Sequence, residues 1–151
     1  MENAGTNSTS FDEGLREFLQ GAVQKVGGQR GLVMIPVENS QDMEVKAAYG
    51  LDPDTVWTTG QISQTILRRV AGEKQPLLTH NAMQDPRFSD TTSVVISGLR
   101  SVICVPILVD GSVWGVLYVD NPIQAGAFKA ANLNELKEYT GRLSDLIKSV
   151  S

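Results

Sequence analysis

The stretch RSVICVPILVDGSVWGVLYVDN, residues 100–121, decides the fold, because it predicts a hairpin of two long strands. The apolar runs from Ser101 to Val109 and from Ser112 to Asp120 are joined by Asp110-Gly111. Asp-Gly between apolar runs is the strongest short-range hairpin signal, since a type I′ turn needs positive φ at both central residues. Both faces of the first strand are apolar, so we expect the sheet to be covered on both sides.

The only cysteine of the chain, Cys104, lies in the middle of the first of these strands. Burial raises the pKa of a thiol and leaves it unreactive, so we interpret Cys104 as a small apolar residue and not as a nucleophile. Pro106 has no amide donor, and we expect it at a bulge or at an unpaired position. One cysteine cannot form an internal disulfide, which favours a reducing, cytoplasmic location.

The other predicted elements surround this hairpin. Ser10 and Glu13 form a capping box and predict that a helix begins at Ser10. Residues 1–9 are expected to form a disordered tail, which leaves residues 10–151 as a single domain. Strand hairpins with a helix at each end are typical of an α+β domain with an antiparallel sheet. The segments are a helix from Ser10 to Val26, strands 31–37 and 43–49, a helix from Ile62 to Ala71, strand 76–79, the long hairpin, and a helix that begins near Asn132.

Composition narrows the class of protein. The chain has 151 residues, 41% of them hydrophobic and 20% charged, which fits one globular domain. No apolar run approaches the roughly 20 residues that span a bilayer, and the N-terminus lacks the features of a signal peptide. The formal net charge of −4 argues against nucleic-acid binding, which depends on many lysines and arginines. We therefore expect neither a nucleic-acid nor a membrane partner.

A succession of short motifs resembles a known family. They are Asp85-Pro86-Arg87-Phe88, Gly98 to Ile107, Asp110-Gly111, Gly115 to Asn121, and Phe128. In this order they resemble a GAF domain, most specifically over residues 85–128 and more weakly from about residue 11. The resemblance implies a profilin-like, GAF/PAS-type antiparallel sheet of five or six strands. The terminal helices would cover one face, and the segment between Pro76 and Arg100 would roof a small-molecule pocket on the other.

GAF domains are mostly regulatory modules of signalling proteins, so the resemblance implies a non-catalytic sensor that is covalently linked to an output domain. The motif positions imply pocket-facing residues whose hydroxyls could hydrogen-bond a ligand, an aromatic ring that could stack, and two arginines that could bind an anion in a bidentate fork. The alternative for the arginines is an intramolecular ion pair, Arg87 with Asp85 or Asp90 and Arg100 with Asp120. The candidates are Tyr49, Ile62, Ser63, Arg87, Thr91, Thr92, Ser93 and Arg100.

Cofactor-binding branches of the family match less well. A bilin would need a cysteine among residues 89–99, and haem or iron would need several ligands where this chain offers the single histidine His80. The sulfoxide reductase branch relies on several cysteines, which argues against an enzyme. Cyclic-nucleotide binding stays open. Members that bind cyclic nucleotides carry Asn-Lys, then Phe, then Asp-Glu, and Asn121 and Phe128 match this pattern. Pro122 stands in place of the lysine, and Asn132-Leu133 stand in place of Asp-Glu.

The terminal helices carry apolar stripes at spacings of three and four residues. Such stripes can pack on the sheet, and they can also pair with a second copy in a four-helix bundle. Because of the second possibility, we expect a homodimer through these helices. The last helix runs to Ser151 without a glycine stop, which favours continuation toward an output domain. A ligand-free dimerisation scaffold is the alternative to a ligand sensor. The stripes are Leu15, Leu19, Ala22 and Val26, and Leu133, Leu136, Thr140, Leu143, Ile147 and Val150.

Overall fold

The structure, a computed structural model, describes residues 2–40, 42–54, 64–81, 85, 101–124 and 126–150. These residues form three helices and five strands in an α+β arrangement. The elements in chain order are α1 (Glu2–Lys25), β1 (Arg30–Pro36), β2 (Met43–Tyr49), α2 (Gln64–Glu73), β3 (Leu77–Thr79), β4 (Ser101–Val109), β5 (Ser112–Asn121) and α3 (Ala130–Val150).

The strands form one antiparallel sheet in the order β2-β1-β5-β4-β3. The predicted hairpin is its centre: β4 and β5 pair from Ser101 opposite Asn121 to Val109 opposite Ser112. Asp110 and Gly111 have φ values of 53° and 81°, the left-handed conformation that a type I′ turn requires at both positions. The fold class and the central hairpin are therefore confirmed.

Helices cover the two faces of the sheet unequally. α1 and α3 pack on one face, which we call the α1/α3 face, and α2 packs on the other, which we call the α2 face. Cys104, on the α2 face, and Ile103, on the α1/α3 face, are both fully buried, as expected for a sheet with two apolar faces. Full burial of one aliphatic side chain contributes about 1.5–3 kcal/mol, so both layers stabilise the fold.

The structure corrects the predicted beginning of the first helix. α1 begins at Glu2, so residues 2–9, expected to form a disordered tail, are helical, and the capping residue Ser10 lies inside the helix. Packing of Leu15 and Leu19 on the sheet fixes the helical nucleus. Each further residue then gains a backbone hydrogen bond without the cost of nucleation, and the helix extends past the local start signal. Within the described residues, no helix is long and apolar enough to cross a membrane.

The apolar stripes of the terminal helices pack within their own chain. Leu15 and Leu19 of α1 and Leu136, Leu143 and Ile147 of α3 are all buried on the α1/α3 face. α1 and α3 run antiparallel beside each other, with the rings of Phe18 and Tyr139 at 5.6 Å and an ion pair of 3.6 Å between Lys25 and Glu135. A second copy of the chain would therefore have to contact other residues of these helices.

The outer edge of β4 is only partly covered by a neighbouring strand. β3 pairs with Val102 to Cys104, and Pro106 lies beyond its end, one residue before a register shift between Ile107 and Leu108. The Ser144 hydroxyl of α3 donates to the Leu108 carbonyl at 2.6 Å. A proline without a donor and a capped carbonyl make this edge a poor template for another strand.

Candidate functional site

A cluster of polar side chains lies at one end of the α2 face. Arg30 begins β1, and its direct partner across the ladder is Asp120 of β5. Tyr118 precedes Asp120 by two residues, and alternate residues of a strand share a face. The sequence therefore brings an arginine, a carboxylate and a phenol together on a surface that is otherwise apolar.

The three side chains are joined by short hydrogen bonds. Arg30 donates from Nε to Oδ1 of Asp120 at 2.8 Å and from Nη2 to Oδ2 at 2.6 Å, a bidentate pair. The Tyr118 hydroxyl donates to the same Oδ2 at 2.6 Å. The side chain of Asp120 is fully buried, whereas that of Arg30 is 16% exposed. The arginine is thus the member of the cluster that reaches solvent.

The net effect of burial and neighbouring charges is to raise the pKa values of both Arg30 and Tyr118. Desolvation alone would lower the pKa of Arg30, but the hydrogen bond and the charge of Asp120 outweigh it and raise the pKa. Burial raises the pKa of Tyr118 well above its usual value, and the negative charge of Asp120 adds to this effect while Arg30 opposes it. Tyr118 therefore stays a neutral donor, and Arg30 stays charged.

The loop after β5 is held by side-chain caps. Asn121 Oδ1 accepts the backbone amides of Ile123 and Gln124 at 3.0 and 2.9 Å. Ser101 Oγ donates to the Gln124 carbonyl at 2.7 Å and accepts the Ala127 amide at 2.9 Å. Because these contacts lie within the loop and its neighbours, Asn121 serves the fold of the loop.

Chain segments with most of the predicted pocket residues connect to the sheet at this polar end. The loop after β2 begins beside Arg30, since Gly50 lies against the backbone of Gln29 and Arg30. β3 ends at Thr79, and β4 begins at Ser101, each within one residue of the Val102–Asp120 pair in the ladder. The chain therefore leaves β2 and β3, and enters β4, at the end of the sheet where Arg30 lies.

A groove of about 400 Å³ lies at the opposite end of the α2 face. It runs between α2 and the turn from β1 to β2, and the Arg68–Asp42 ion pair of 3.3 Å lies on its rim. No motif in the sequence predicts a site there. The residues that line it are Pro36, Ser40, Asp42, Met43, Arg68, Ala71, Gly72 and Val113.

The described residues contain no group of three or more His, Cys, Asp or Glu side chains that could hold a metal ion. Cys104 is fully buried in the α2-face core, and burial raises the pKa of its thiol far above the usual range. A buried, neutral thiol is a poor nucleophile.

Comparison with known proteins agrees with the fold described above. The family model described as "GAF domain" matches residues 10–144. The chain belongs to the GAF family. Comparison with curated proteins found no match.

Solved structures share the fold of this GAF domain. The GAF domain of an Acinetobacter phosphoenolpyruvate-protein phosphotransferase is 20% identical with a TM-score of 0.71, covering 92% of this chain and 82% of its own. A GAF domain/HD domain protein from Geobacter sulfurreducens is 14% identical with a TM-score of 0.69, covering 92% of each chain. A type II free methionine-R-sulfoxide reductase from Thermoplasma acidophilum is 15% identical with a TM-score of 0.66, covering 92% and 96%. At these identities the likeness shows the fold alone.

Of the predicted pocket residues, Tyr49 is the one that the structure describes, and it does not face the expected pocket. Tyr49 lies opposite Gly31, which faces Val23 of α1, so the tyrosine packs on the α1/α3 face of the GAF domain. A bulge is the cause: Val33 pairs with Ala47 and Met34 with Val45, which leaves Lys46 as an extra residue. One extra residue moves every later side chain of β2 to the other face.

The remaining candidates lie outside the described residues: Ile62, Ser63, Arg87, Thr91, Thr92, Ser93 and Arg100. The expected alternative partner of Arg100 is, however, described. Both oxygens of Asp120 accept hydrogen bonds, from Arg30 and Tyr118, and Arg30 is a partner that the sequence did not indicate. Knowledge of the β1–β5 pairing would have identified Arg30, but no local signal does.

Proposed function

We propose that this GAF domain is a non-catalytic sensor that binds a small molecule on the α2 face and regulates a linked output domain through its terminal helices. The Arg30–Asp120–Tyr118 cluster carries this proposal. A buried ion pair adds little net stability compared with apolar residues of similar volume. Its place on an apolar face, with Arg30 partly exposed and the predicted pocket segments linked to the same end, favours a role in ligand recognition.

The proposed ligand class is a small anion with a polar ring, such as a nucleotide or a cyclic nucleotide. A guanidinium binds phosphate or carboxylate strongly, and the sequence offers Arg87 and Arg100 for this role. The binding set that we propose from the sequence is Ile62, Ser63, Arg87, Thr91, Thr92, Ser93 and Arg100, and Tyr49 is not part of it.

The proposal of a non-catalytic module rests on Cys104. It is the chain's one thiol and is fully buried. Because a solved reductase shares the fold, the proposal is tested directly by assaying the protein with free methionine sulfoxide. We expect no reduction above the rate without protein, and turnover that disappears in Cys104→Ala would overturn the non-catalytic assignment.

The test of ligand binding is a thermal-shift and native mass spectrometry screen with cyclic nucleotides, mononucleotides and small carboxylates. A ligand at 100 times its Kd should raise the free energy of unfolding by about 2.7 kcal/mol. Arg87→Gln and Arg100→Gln should reduce the shift, whereas Arg16→Gln, an exposed residue of α1, should not. If no anion in the screen changes the stability of the wild-type domain, the proposal that the domain senses a small anion is wrong.

The ligand-free scaffold is the second candidate, and one observation favours it. Leu146 and Val150 of α3 are 46% and 62% exposed, and they lie four residues apart on one side of the helix. Two exposed aliphatic side chains at this spacing could contact a second copy. Sedimentation at tens of micromolar tests this: a dimer that Leu146→Glu dissociates supports a scaffold, and a monomer at that concentration argues against it.

A further inference from the structure

The turn between β4 and β5 is contacted from both faces of the sheet. From the α2 face, Lys74 Nζ donates to the Gly111 carbonyl at 3.1 Å. From the α1/α3 face, Lys148 Nζ lies 2.9 Å from Asp110 Oδ1. The residue just after α2 and a residue of α3 thus contact adjacent residues of one turn from opposite faces of the sheet.

The backbone of the turn is constrained. Asp110 and Gly111 both have positive φ, and a two-residue turn of this kind leaves little freedom between the strands. Just before it, the Leu108 carbonyl accepts the Ser144 hydroxyl of α3, next to the register shift between Ile107 and Leu108. α3 is therefore attached to the turn at a second place.

The conformation of Lys74 gives independent support. This residue follows α2, has a φ of 55°, and donates its amide to the Val70 carbonyl at 2.9 Å, which ends the helix. Glycine is the residue most often found at such a left-handed cap, because a side chain there costs free energy. Termination of α2 alone does not explain a lysine at this position, whereas the contact with Gly111 does.

We propose that the β4–β5 turn couples the position of α2 to the order of the last turn of α3. The inference rests on the proposed function only in that α2 covers the proposed ligand face. When the C-terminus of α2 moves away from the turn, the turn loses its support on that side, and the contact between Asp110 and Lys148 weakens. Exposed contacts of this kind are modest, so the expected change in the opening equilibrium of α3 is about two- to fivefold.

Hydrogen–deuterium exchange of the ligand-free chain tests the coupling. Lys74→Gly removes Nζ and relieves the strained cap, so a looser α3 cannot result from a poorer end of α2. We expect amides in the last turn of α3, residues 145–150, to exchange about two- to fivefold faster in this variant. Glu73→Gln, which disturbs the Arg69–Glu73 ion pair of 3.5 Å but not Lys74, is the matched control and should leave α3 unchanged.

A second variant makes the test specific. Lys148→Met should also accelerate exchange in α3. In the double variant, the acceleration of exchange should be smaller than the product of the two single accelerations. Unchanged exchange in Lys74→Gly, equal acceleration in Glu73→Gln, or multiplicative effects in the double variant would each overturn the proposal. Because no ligand is added, these outcomes are independent of the ligand screen.

Discussion

Replacement of Arg30 by methionine should be among the most destabilising changes at the surface of this domain. Asp120 is fully buried and accepts hydrogen bonds from Arg30 on both oxygens. Without the guanidinium, a buried carboxylate keeps only Tyr118 among these partners. Removing one member of a buried ion pair costs about 3–5 kcal/mol. Since the side chain of Arg30 is 16% exposed and water can enter where it lay, we expect the lower end, about 3 kcal/mol.

Unequal burial of the two charges predicts an order among variants. Asp120→Asn leaves Arg30 without its counter-ion, but the guanidinium reaches solvent, and the amide oxygen still accepts from Tyr118. This change should cost about 1–2 kcal/mol, less than Arg30→Met. Tyr118→Phe removes one hydrogen bond to a charged acceptor and should cost about 1.5–3 kcal/mol. The triple variant Arg30→Met, Asp120→Leu, Tyr118→Phe leaves no buried polar group unpaired in the cluster, and it should be more stable than Arg30→Met alone.

Urea denaturation at pH 7 and 25 °C, followed by circular dichroism, measures these differences if the m-value is unchanged. Glu73→Gln is the control: it weakens an exposed ion pair of α2 and should change the free energy of unfolding by less than about 0.5 kcal/mol. Two results would refute the reasoning. Either Arg30→Met costs no more than this control, or Asp120→Asn costs more than Arg30→Met.

Three further predictions use the same denaturation assay. Burial raises the pKa of the Cys104 thiol. The free energy of unfolding is therefore not reduced by this group below pH about 8.5, and it falls by about 2 kcal/mol at pH 10, where the thiol of the unfolded chain has lost its proton. Cys104→Ala should remove most of that fall, and the same pH dependence in both proteins would contradict a buried neutral thiol. Gly141→Ala should stabilise the domain by about 1 kcal/mol, since the added methyl meets no atom within 4 Å. Gly115→Ala should destabilise it by about 1–3 kcal/mol, because the added methyl would lie 2.6 Å from the Met34 carbonyl oxygen. A Gly115→Ala variant that is more stable than the wild type would contradict this close approach. Asn121→Ala should cost about 1–2 kcal/mol and Asn121→Asp less, because aspartate still accepts the two loop amides; equal losses would argue against the cap.

Local signals predicted the centre of this fold well. The Asp110-Gly111 turn, the two apolar faces of β4 and the burial of Cys104 all follow from neighbouring residues, and the structure shows each of them. The beginning of α1 did not follow, although Ser10 carries a local start signal. Packing of the later turns stabilises the whole helix, and this tertiary contribution outweighs a single cap.

The candidate site depended on information that a single sequence does not contain. Tyr49 lies three strand positions after a bulge whose extra residue, Lys46, reverses the alternation of β2, and no turn residue or glycine marks it. Arg30 and Asp120 are 90 residues apart and meet because β1 lies beside β5. Alternation predicts which residues share a face only when the register and the strand order are known.

The structure also changes what the match to the cyclic-nucleotide pattern means. Asn121 uses its side-chain oxygen on loop amides, and Phe128 is fully buried on the α1/α3 face, away from the proposed ligand face. Both residues therefore stabilise the fold, and their presence favours a GAF domain without favouring one ligand. Asp120, adjacent to Asn121, faces the other side of the sheet and holds Arg30 in place. Asn121 and Phe128 therefore do not single out cyclic nucleotides, so a screen that includes carboxylates and phosphates without a cyclic ester is the more informative one.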